Sequence, residues 1–174
     1  MPRTEFSPSI TSRPVYPGLT PQGATPAIML AEGPGAEAIL DLAALGAKMY
    51  REAPSYASVL ERYRKALADA RMGTTLYLAG SEGMIGQAVA EALAAGLPPE
   101  AIQTEHRGTI ARRMQCVHCK GVTENVTTDP FVCSHCGLTL FVRDHFSRRL
   151  GAFQGVCVDA ETPGIVPAVQ EIKP

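Results

Sequence analysis

Four cysteines in two closely spaced pairs are the residues of this sequence best suited to chemistry. Cys116-x-x-Cys119 and Cys133-x-x-Cys136 are separated by 13 residues. A Cys-x-x-Cys turn directs two thiolates toward one point, and two such turns brought together supply the four sulfur ligands of a tetrahedral metal site. The spacing therefore predicts a single metal centre with Cys116, Cys119, Cys133 and Cys136 as its ligands.

Zinc is the favoured metal, and iron is the alternative. The same ligand geometry holds a single iron in rubredoxins, which usually have a proline inside each turn, a glycine after it and aromatic residues nearby. Here neither turn contains proline, only the second is followed by glycine (Gly137), and aromatic residues make up 6% of the chain. Four protein ligands leave no open position, so a zinc here is predicted to be structural. Two redox-active pairs would instead need an accessible thiol of low pKa.

Other residues of metal-binding type are predicted to lie outside this centre. His118 and His135 lie within the two turns, but four thiolates already complete the tetrahedron, so we interpret both as surface residues. Cys157 stands alone and is interpreted as a small buried hydrophobic residue. His145 lies in a basic stretch, which is either a solvated face or a docking patch for an acidic partner or a phosphate.

Composition and charge exclude several classes of protein. The chain has 174 residues, is 45% hydrophobic and carries a net charge of −1, which argues against a nucleic acid as its main partner. It has no apolar run of about 18 residues that could span a membrane. Residues 1–26 do not have the pattern of a secretory signal, so a cytoplasmic location is expected. Residues 108–150 are nevertheless basic, with six basic and three acidic residues.

Strand and helix patterns alternate over residues 27–107. Apolar or β-branched runs predict strands at 27–31, 47–50, 74–79 and 102–106. Apolar residues at helical spacing predict helices at 36–45, 55–70 and 83–95. This alternation predicts an α/β fold, namely a small parallel Rossmann-like sheet with helices on its faces. Short β-prone segments around the cysteines predict that a small β zinc ribbon follows.

The same patterns divide the chain into four parts. Residues 1–26 contain six prolines and are interpreted as an extended arm, with an edge strand at 13–16 or else a disordered tail. Residues 27–107 form the α/β domain. Residues 108–150 form the four-cysteine zinc ribbon, in which metal would replace a large core. Residues 151–174 are interpreted as a strand or turn followed by an extended tail.

Glycines at Gly33 and Gly80 follow two predicted strands, at the edge where open α/β sheets bind ligands. Neither turn has the G-x-G-x-x-G spacing of a dinucleotide site. Acidic residues (Glu32, Glu37 and Glu82) also stand where a phosphate would have to bind. NAD(P)H binding is therefore left open but not expected.

Two runs of residues resemble the pyridine-nucleotide half of ferredoxin-reductase-type flavoenzymes. They are Leu76-Tyr-Leu-Ala-Gly-Ser-Glu-Gly-Met-Ile and the segment 94–105. Where that family has Cys and Pro in its turn, this chain has Ala79 and Ser81. Only 26 residues precede the α/β domain, whereas a flavin-binding barrel needs about a hundred. The resemblance implies a reductase-like scaffold, and hydride transfer by this chain alone is not expected.

A second resemblance covers most of the chain. It rests on Tyr77-Leu-Ala-Gly-Ser-Glu-Gly-Met, Ala111-Arg-Arg, Cys116-Val-His-Cys-Lys, Thr123-Glu-Asn-Val-Thr-Thr, Cys133-Ser-His-Cys-Gly and Val142-Arg-Asp-His-Phe-Ser-Arg-Arg-Leu. Together these resemble the small DmmA-type subunit of bacterial dimethylamine monooxygenase. The resemblance implies a multicomponent oxidoreductase with a haem subunit, a flavin and iron–sulfur reductase and a folate-linked subunit. That system converts dimethylamine to methylamine and formaldehyde.

The resemblance supplies no catalytic residue, and only the four cysteines carry over. We therefore expect a non-catalytic accessory subunit, whose zinc ribbon, basic flank and Pro-rich arm contact the other subunits. The basic flank consists of Arg112, Arg113, Arg143, Arg148 and Arg149. Two alternatives stay open at this point. One is an electron carrier with rubredoxin-like iron, and the other, with less support, is a nucleic-acid-binding ribbon.

Overall fold

A parallel three-stranded sheet forms the first unit of the computed structural model, which describes residues 12–22, 26–44 and 56–172. Its strands are β1 (Ala27–Ala31), β2 (Thr75–Gly80) and β3 (Ile102–His106), and they pair in that order. Every residue of β2 is buried, as expected of a central strand with both faces covered. The strand predicted at 47–50 lies outside the described residues.

Helices cover both faces of this sheet. They are α1 (Gly35–Ala44), α2 (Tyr56–Ala68) and α3 (Glu82–Ala94), and a single 3-10 turn (Pro99–Ala101) precedes β3. Because strand side chains alternate between faces, Ile28 and Leu76 pack toward α2 and α3, whereas Met29 and Tyr77 pack toward α1. The predicted α/β fold with a parallel sheet and flanking helices is confirmed.

A five-stranded sheet forms the second unit. Its strands are β4 (Arg112–Cys116), β5 (Val122–Val126), β7 (Phe131–Val132), β8 (Thr139–Ser147) and β9 (Ala152–Cys157). They lie in the order β5-β4-β9-β8-β7, and β4 with β9 is the parallel pair. Two short strands, β6 (Thr128–Asp129) and β10 (Gln170–Glu171), pair beside it. The strand predicted within the tail is therefore β9, which is central in the sheet.

One face of the five-stranded sheet packs around a small core. Met114 and Leu140 are fully buried there, and Phe153 is 1% exposed. Two of the cysteines, Cys116 and Cys133, belong to the same cluster. The sulfur atoms are thus part of the interior of this unit.

The two units meet where α3 crosses the turn between β8 and β9. A Cβ atom built on Gly86 would lie 2.9 Å from the carbonyl oxygen of Gly151, and one built on Gly151 would lie 2.4 Å from the backbone of Gly86. No side chain fits at either position, so the helix and the turn are in backbone contact.

A buried arginine, Arg112, lies at the same junction between the two units. Only 6% of the Arg112 side chain is exposed, and its guanidinium lies 2.8 Å from Asp144 and 3.8 Å from Glu82. It also lies 4.5 Å from the ring centre of Phe153. Because Glu82 begins α3 and Asp144 lies in β8, this one side chain connects both units.

The N-terminal arm lies along both units without forming the edge strand predicted at 13–16. A single bridge joins Ser12 to His145, and no ladder continues from it within residues 12–22. Pro14 and Pro17 have no N–H to donate, which explains why the strand fails. The arm is nevertheless extended and held by hydrogen bonds. Gly18 N donates to Thr104 O at 3.1 Å, Thr20 N to Gln103 Oε1 at 2.7 Å, and the Tyr16 hydroxyl to Glu82 at 3.0 Å.

Among the described residues, the longest helices have 13 residues and none has the length and apolar character needed to cross a membrane.

Candidate metal centre

Two tight turns of the same backbone form carry the four cysteines. Cys116 ends β4 and Cys133 directly follows β7. In the first turn Lys120 N donates to Cys116 O, and in the second Gly137 N donates to Cys133 O, both at 3.0 Å. Lys120 and Gly137, each just past a turn, have positive φ angles of 64° and 74°. Glycine adopts a positive φ freely, whereas lysine does so rarely. Gly137 therefore suits the backbone conformation after the second turn better than Lys120 suits the same conformation after the first.

The sulfur atoms form a compact cluster of metal-site dimensions. Cys116 Sγ lies 3.9 Å from Cys136 Sγ, and Cys119 Sγ lies 3.7 Å from Cys133 Sγ. All four sulfurs lie within 4.8 Å of one another. A tetrahedron with metal–sulfur bonds of about 2.3 Å has edges of about 3.8 Å, whereas a disulfide would need about 2.05 Å. The cluster therefore has the size of a tetrathiolate metal site, and all four cysteines are free thiols.

Backbone N–H groups point at the sulfurs. Burial disfavours the thiolate of Cys133, but N–H donors from Cys136 and His135 outweigh it and lower the pKa of Cys133 to about 6. At Cys136 the N–H of Leu138 favours the thiolate, while burial and the neighbouring thiols oppose it and raise the pKa to about 12. Four sulfurs this close cannot all ionise together unless a cation balances their charge.

The two turn histidines lie outside the sulfur cluster. His118 is exposed. His135 Nε2 lies 2.9 Å from Val122 O, so this nitrogen donates to the carbonyl. A Cβ atom on Gly121 would lie 2.4 Å from the His135 ring, which places the imidazole flat against the first turn. His135 therefore braces one turn against the other and is not among the residues grouped around the candidate metal site.

Cys157 was predicted to be a buried hydrophobic residue, because it stands apart from the two cysteine pairs in the sequence, but this prediction is wrong. It is half-buried, and its thiol donates to Asp159 Oδ1 at 3.0 Å. That hydrogen bond is the main reason why its pKa is raised. The position explains the error, because Cys157 is the last residue of β9 and the chain turns into solvent immediately after it.

The edge of the parallel sheet does not fit a phosphate. Ser81 caps α3 by accepting from Met84 N, and its hydroxyl donates to Glu32 at 2.7 Å. A carboxylate thus stands at the helix N-terminus where an anion would bind. A Cβ atom on Gly35 would lie 2.1 Å from Ala79 O, so this glycine brings the start of α1 directly against β2. The residues of this edge do not suit NAD(P)H.

The predicted basic flank is divided by the structure. Arg112 is buried, and Arg113 bonds Glu124 at 2.7 Å and the carbonyl of Leu150 at 2.6 Å, so neither offers a free charge to a partner. Sequence reasoning missed this because their acceptors are distant in the chain. The three remaining arginines are exposed and have no acidic partner within the part of the chain that the structure describes. They are Arg143, Arg148 and Arg149.

Comparison with known proteins gives a consistent result over most of the chain. Residues 41–102 match the N-terminal domain and residues 113–156 the C-terminal domain of the family described as dimethylamine monooxygenase subunit DmmA-like. A protein of Ectopseudomonas mendocina (strain ymp) named heme-dependent oxidative N-demethylase delta subunit is 36% identical over 165 residues. The match covers 90% of this chain and 94% of that protein. No solved structure matches the chain significantly. The chain therefore belongs to the dimethylamine monooxygenase subunit DmmA-like family.

Proposed function

We propose that this chain is an accessory subunit of a multicomponent oxidative N-demethylase that acts on dimethylamine. The observation that carries the proposal is the 36% identity, over nearly the full length of both chains, to a protein named as the delta subunit of a heme-dependent oxidative N-demethylase. Methylamine and formaldehyde would be the products. The other components would be a haem subunit, a flavin and iron–sulfur reductase and a folate-linked subunit.

A non-catalytic role for this chain is supported by the candidate metal centre. Four cysteine ligands would complete a tetrahedron and leave no position for substrate or oxygen. Cys116 and Cys133 are 1% and 2% exposed, so two of the four sulfurs are shielded from small molecules, while Cys119 and Cys136 are half-buried. In this proposal the four cysteines hold a structural zinc that fixes the two turns relative to each other.

The α/β unit would serve as a scaffold. Its ligand-binding edge is occupied by the chain's own groups, since Ser81 bonds Glu32 and Glu82 bonds Tyr16 and Arg112. We keep the division into an arm (1–26), an α/β domain (27–107), a four-cysteine ribbon (108–150) and a tail (151–174) as part of the proposal. Strand β9 would then be the element by which the tail completes the ribbon's sheet.

Reconstitution tests the subunit role. The purified chain is mixed with the haem and reductase subunits, and complex formation and dimethylamine turnover are measured with and without it. We expect co-elution and a turnover that depends on the chain. A monodisperse monomer that leaves turnover by the other subunits unchanged would refute the proposal.

Metal analysis tests the structural zinc. Protein purified without added metal should contain one zinc per chain and be colourless. Iron at the same cysteines would give a red protein that absorbs visible light, and this result would favour the electron-carrier alternative. The sulfur spacing alone does not separate the two metals, because both form bonds of similar length to thiolate.

A further inference from the structure

The five-stranded sheet has one face that does not pack against the core. In β8, Leu140 and Val142 point into the core, so Thr139, Phe141 and Arg143 point the other way. Phe141 pairs directly with Val156 of β9, and Thr139 pairs with Val132 of β7. We define the outer face by Val132, Thr139, Phe141 and Val156.

This outer face is apolar where a solvated sheet face is normally polar. Val132 is 62% exposed, and Phe141 and Val156 are both partly exposed and belong to no core cluster. Val158 follows on the same side and donates its N–H to Thr139 O. Apolar side chains gathered on an exposed surface mark an interaction site more often than single exposed hydrophobic residues do.

A polar and basic rim borders the apolar residues. Arg143 pairs with Gln154, which pairs in turn with Gln115, so one polar row crosses three strands. Arg143 is exposed and has no acidic partner among the described residues. At the other end Lys120 is also exposed and donates to Val117 O. An apolar centre with an arginine at its edge is the arrangement that protein interfaces favour.

The acidic residues near this rim differ in their pairing. Glu124 is ion-paired with Arg113, whereas Asp159 keeps its negative charge, because it accepts hydrogen bonds only from the Cys157 thiol and from Gly164 N among the described residues. At the Arg143 edge, next to the apolar residues, the exposed charge is positive. A partner that fits would present apolar side chains surrounded by carboxylates.

We infer that the outer face is the surface by which this chain binds another protein subunit, one with an apolar patch rimmed by acidic residues. The inference rests on the subunit role proposed above and assigns it a place on the molecule. Val132 directly precedes Cys133, so a metal held by the cysteines would fix the edge of this face. A protein fits better than a nucleic acid, because the face has one aromatic side chain and few free cations.

Binding of variants to purified subunits tests the inference. The probes are the haem subunit and, separately, the reductase subunit of the same complex. Phe141→Asp is compared with Met72→Asp, since Met72 is fully exposed on the α/β unit. Arg143→Glu is compared with Lys65→Glu on α2. Zinc content and circular dichroism of each variant establish that it folds.

We expect Phe141→Asp to raise the Kd for one subunit at least tenfold, and Met72→Asp to leave it within twofold. Arg143→Glu should slow association and weaken its dependence on salt, whereas Lys65→Glu should not. If the native chain binds and Phe141→Asp binds equally well, the outer face is not the interface, although the subunit role stands. If the native chain binds neither of these subunits nor the folate-linked subunit, the subunit role fails. A dimer of this chain, or a complex with short RNA, that Phe141→Asp abolishes would also overturn the inference.

Discussion

Replacing Arg112 by methionine tests whether the junction between the two units depends on a buried charge. The guanidinium is 6% exposed and lies 2.8 Å from Asp144 and 3.8 Å from Glu82. Methionine is an unbranched apolar side chain that can fill space beside Phe153, but it removes the charge and the guanidinium contact with that ring. The two carboxylates then lose the cation that compensates their partial burial.

The expected cost follows from these contacts. Removing one partner of a buried ion pair costs about 3–5 kcal/mol. The lower end applies here, because Asp144 is one-third exposed and keeps Arg13 at 3.3 Å, and because Glu82 keeps the Tyr16 hydroxyl. We therefore expect Arg112→Met to lower the free energy of unfolding by about 3 kcal/mol. With a urea m-value of about 2 kcal/mol per M, the midpoint falls by about 1.5 M.

Urea unfolding of the metal-loaded protein, followed by circular dichroism, measures this change. Arg148→Met is the matched control, because Arg148 is exposed and the substitution should cost less than about 0.5 kcal/mol. Combining Arg112→Met with Glu82→Gln and Asp144→Asn should recover part of the loss, since no uncompensated charge then remains. A cost for Arg112→Met that matches Arg148→Met would refute the reasoning.

Three further predictions concern other parts of the molecule. Gly151→Ala places a methyl group against the backbone of α3 and should destabilise by about 2 kcal/mol more than Gly164→Ala in urea unfolding, because Gly164 also has positive φ but faces open space. Burial raises the pKa of Tyr16, so its stabilising contribution is complete below pH 10 and declines above it; the melting temperature should fall more steeply between pH 10 and 12 than in Tyr16→Phe. Cys133→Ser should abolish stoichiometric metal binding as measured by elemental analysis, while Cys157→Ser should retain it.

The grouping of the four cysteines could be predicted from the sequence because it depends on local geometry. Each pair is held together by a turn of a few residues, and β-prone segments connect the pairs. The strands and helices that the structure describes in the α/β unit could also be predicted from the sequence. Residues 74–79, for example, are an apolar and β-branched run between Gly73 and Gly80, and all of them are buried.

Whether each basic residue is buried or exposed could not be predicted from the sequence, because burial depends on contacts between segments that are distant in the chain. Arg112 lies 30 residues after Glu82 and 32 residues before Asp144. Nothing local to Arg112 distinguishes it from Arg148, which is exposed. Pairing of β4 with β9 decides the difference, because it places Arg112 over Phe153 in the interior. The charge count of residues 108–150 therefore overstated the positive charge available to a partner.

The outer face is a second feature that could not be predicted from the sequence. Phe141 and Val142 are neighbours in one apolar run, so a strand there places them on opposite faces, but the sequence alone does not show which of the two faces the core. The register between β8 and β9 decides which residue faces the core. Val142 pairs with Gly155 on the core side, and Phe141 pairs with Val156 on the opposite side. The two faces of this strand therefore have different surroundings. Its inner residues pack with the cysteines, and its outer residues are free to contact a partner. Strand β8 therefore lies between the core that contains Cys116 and Cys133 and the proposed interface, so loss of a metal from the cysteines should weaken subunit binding.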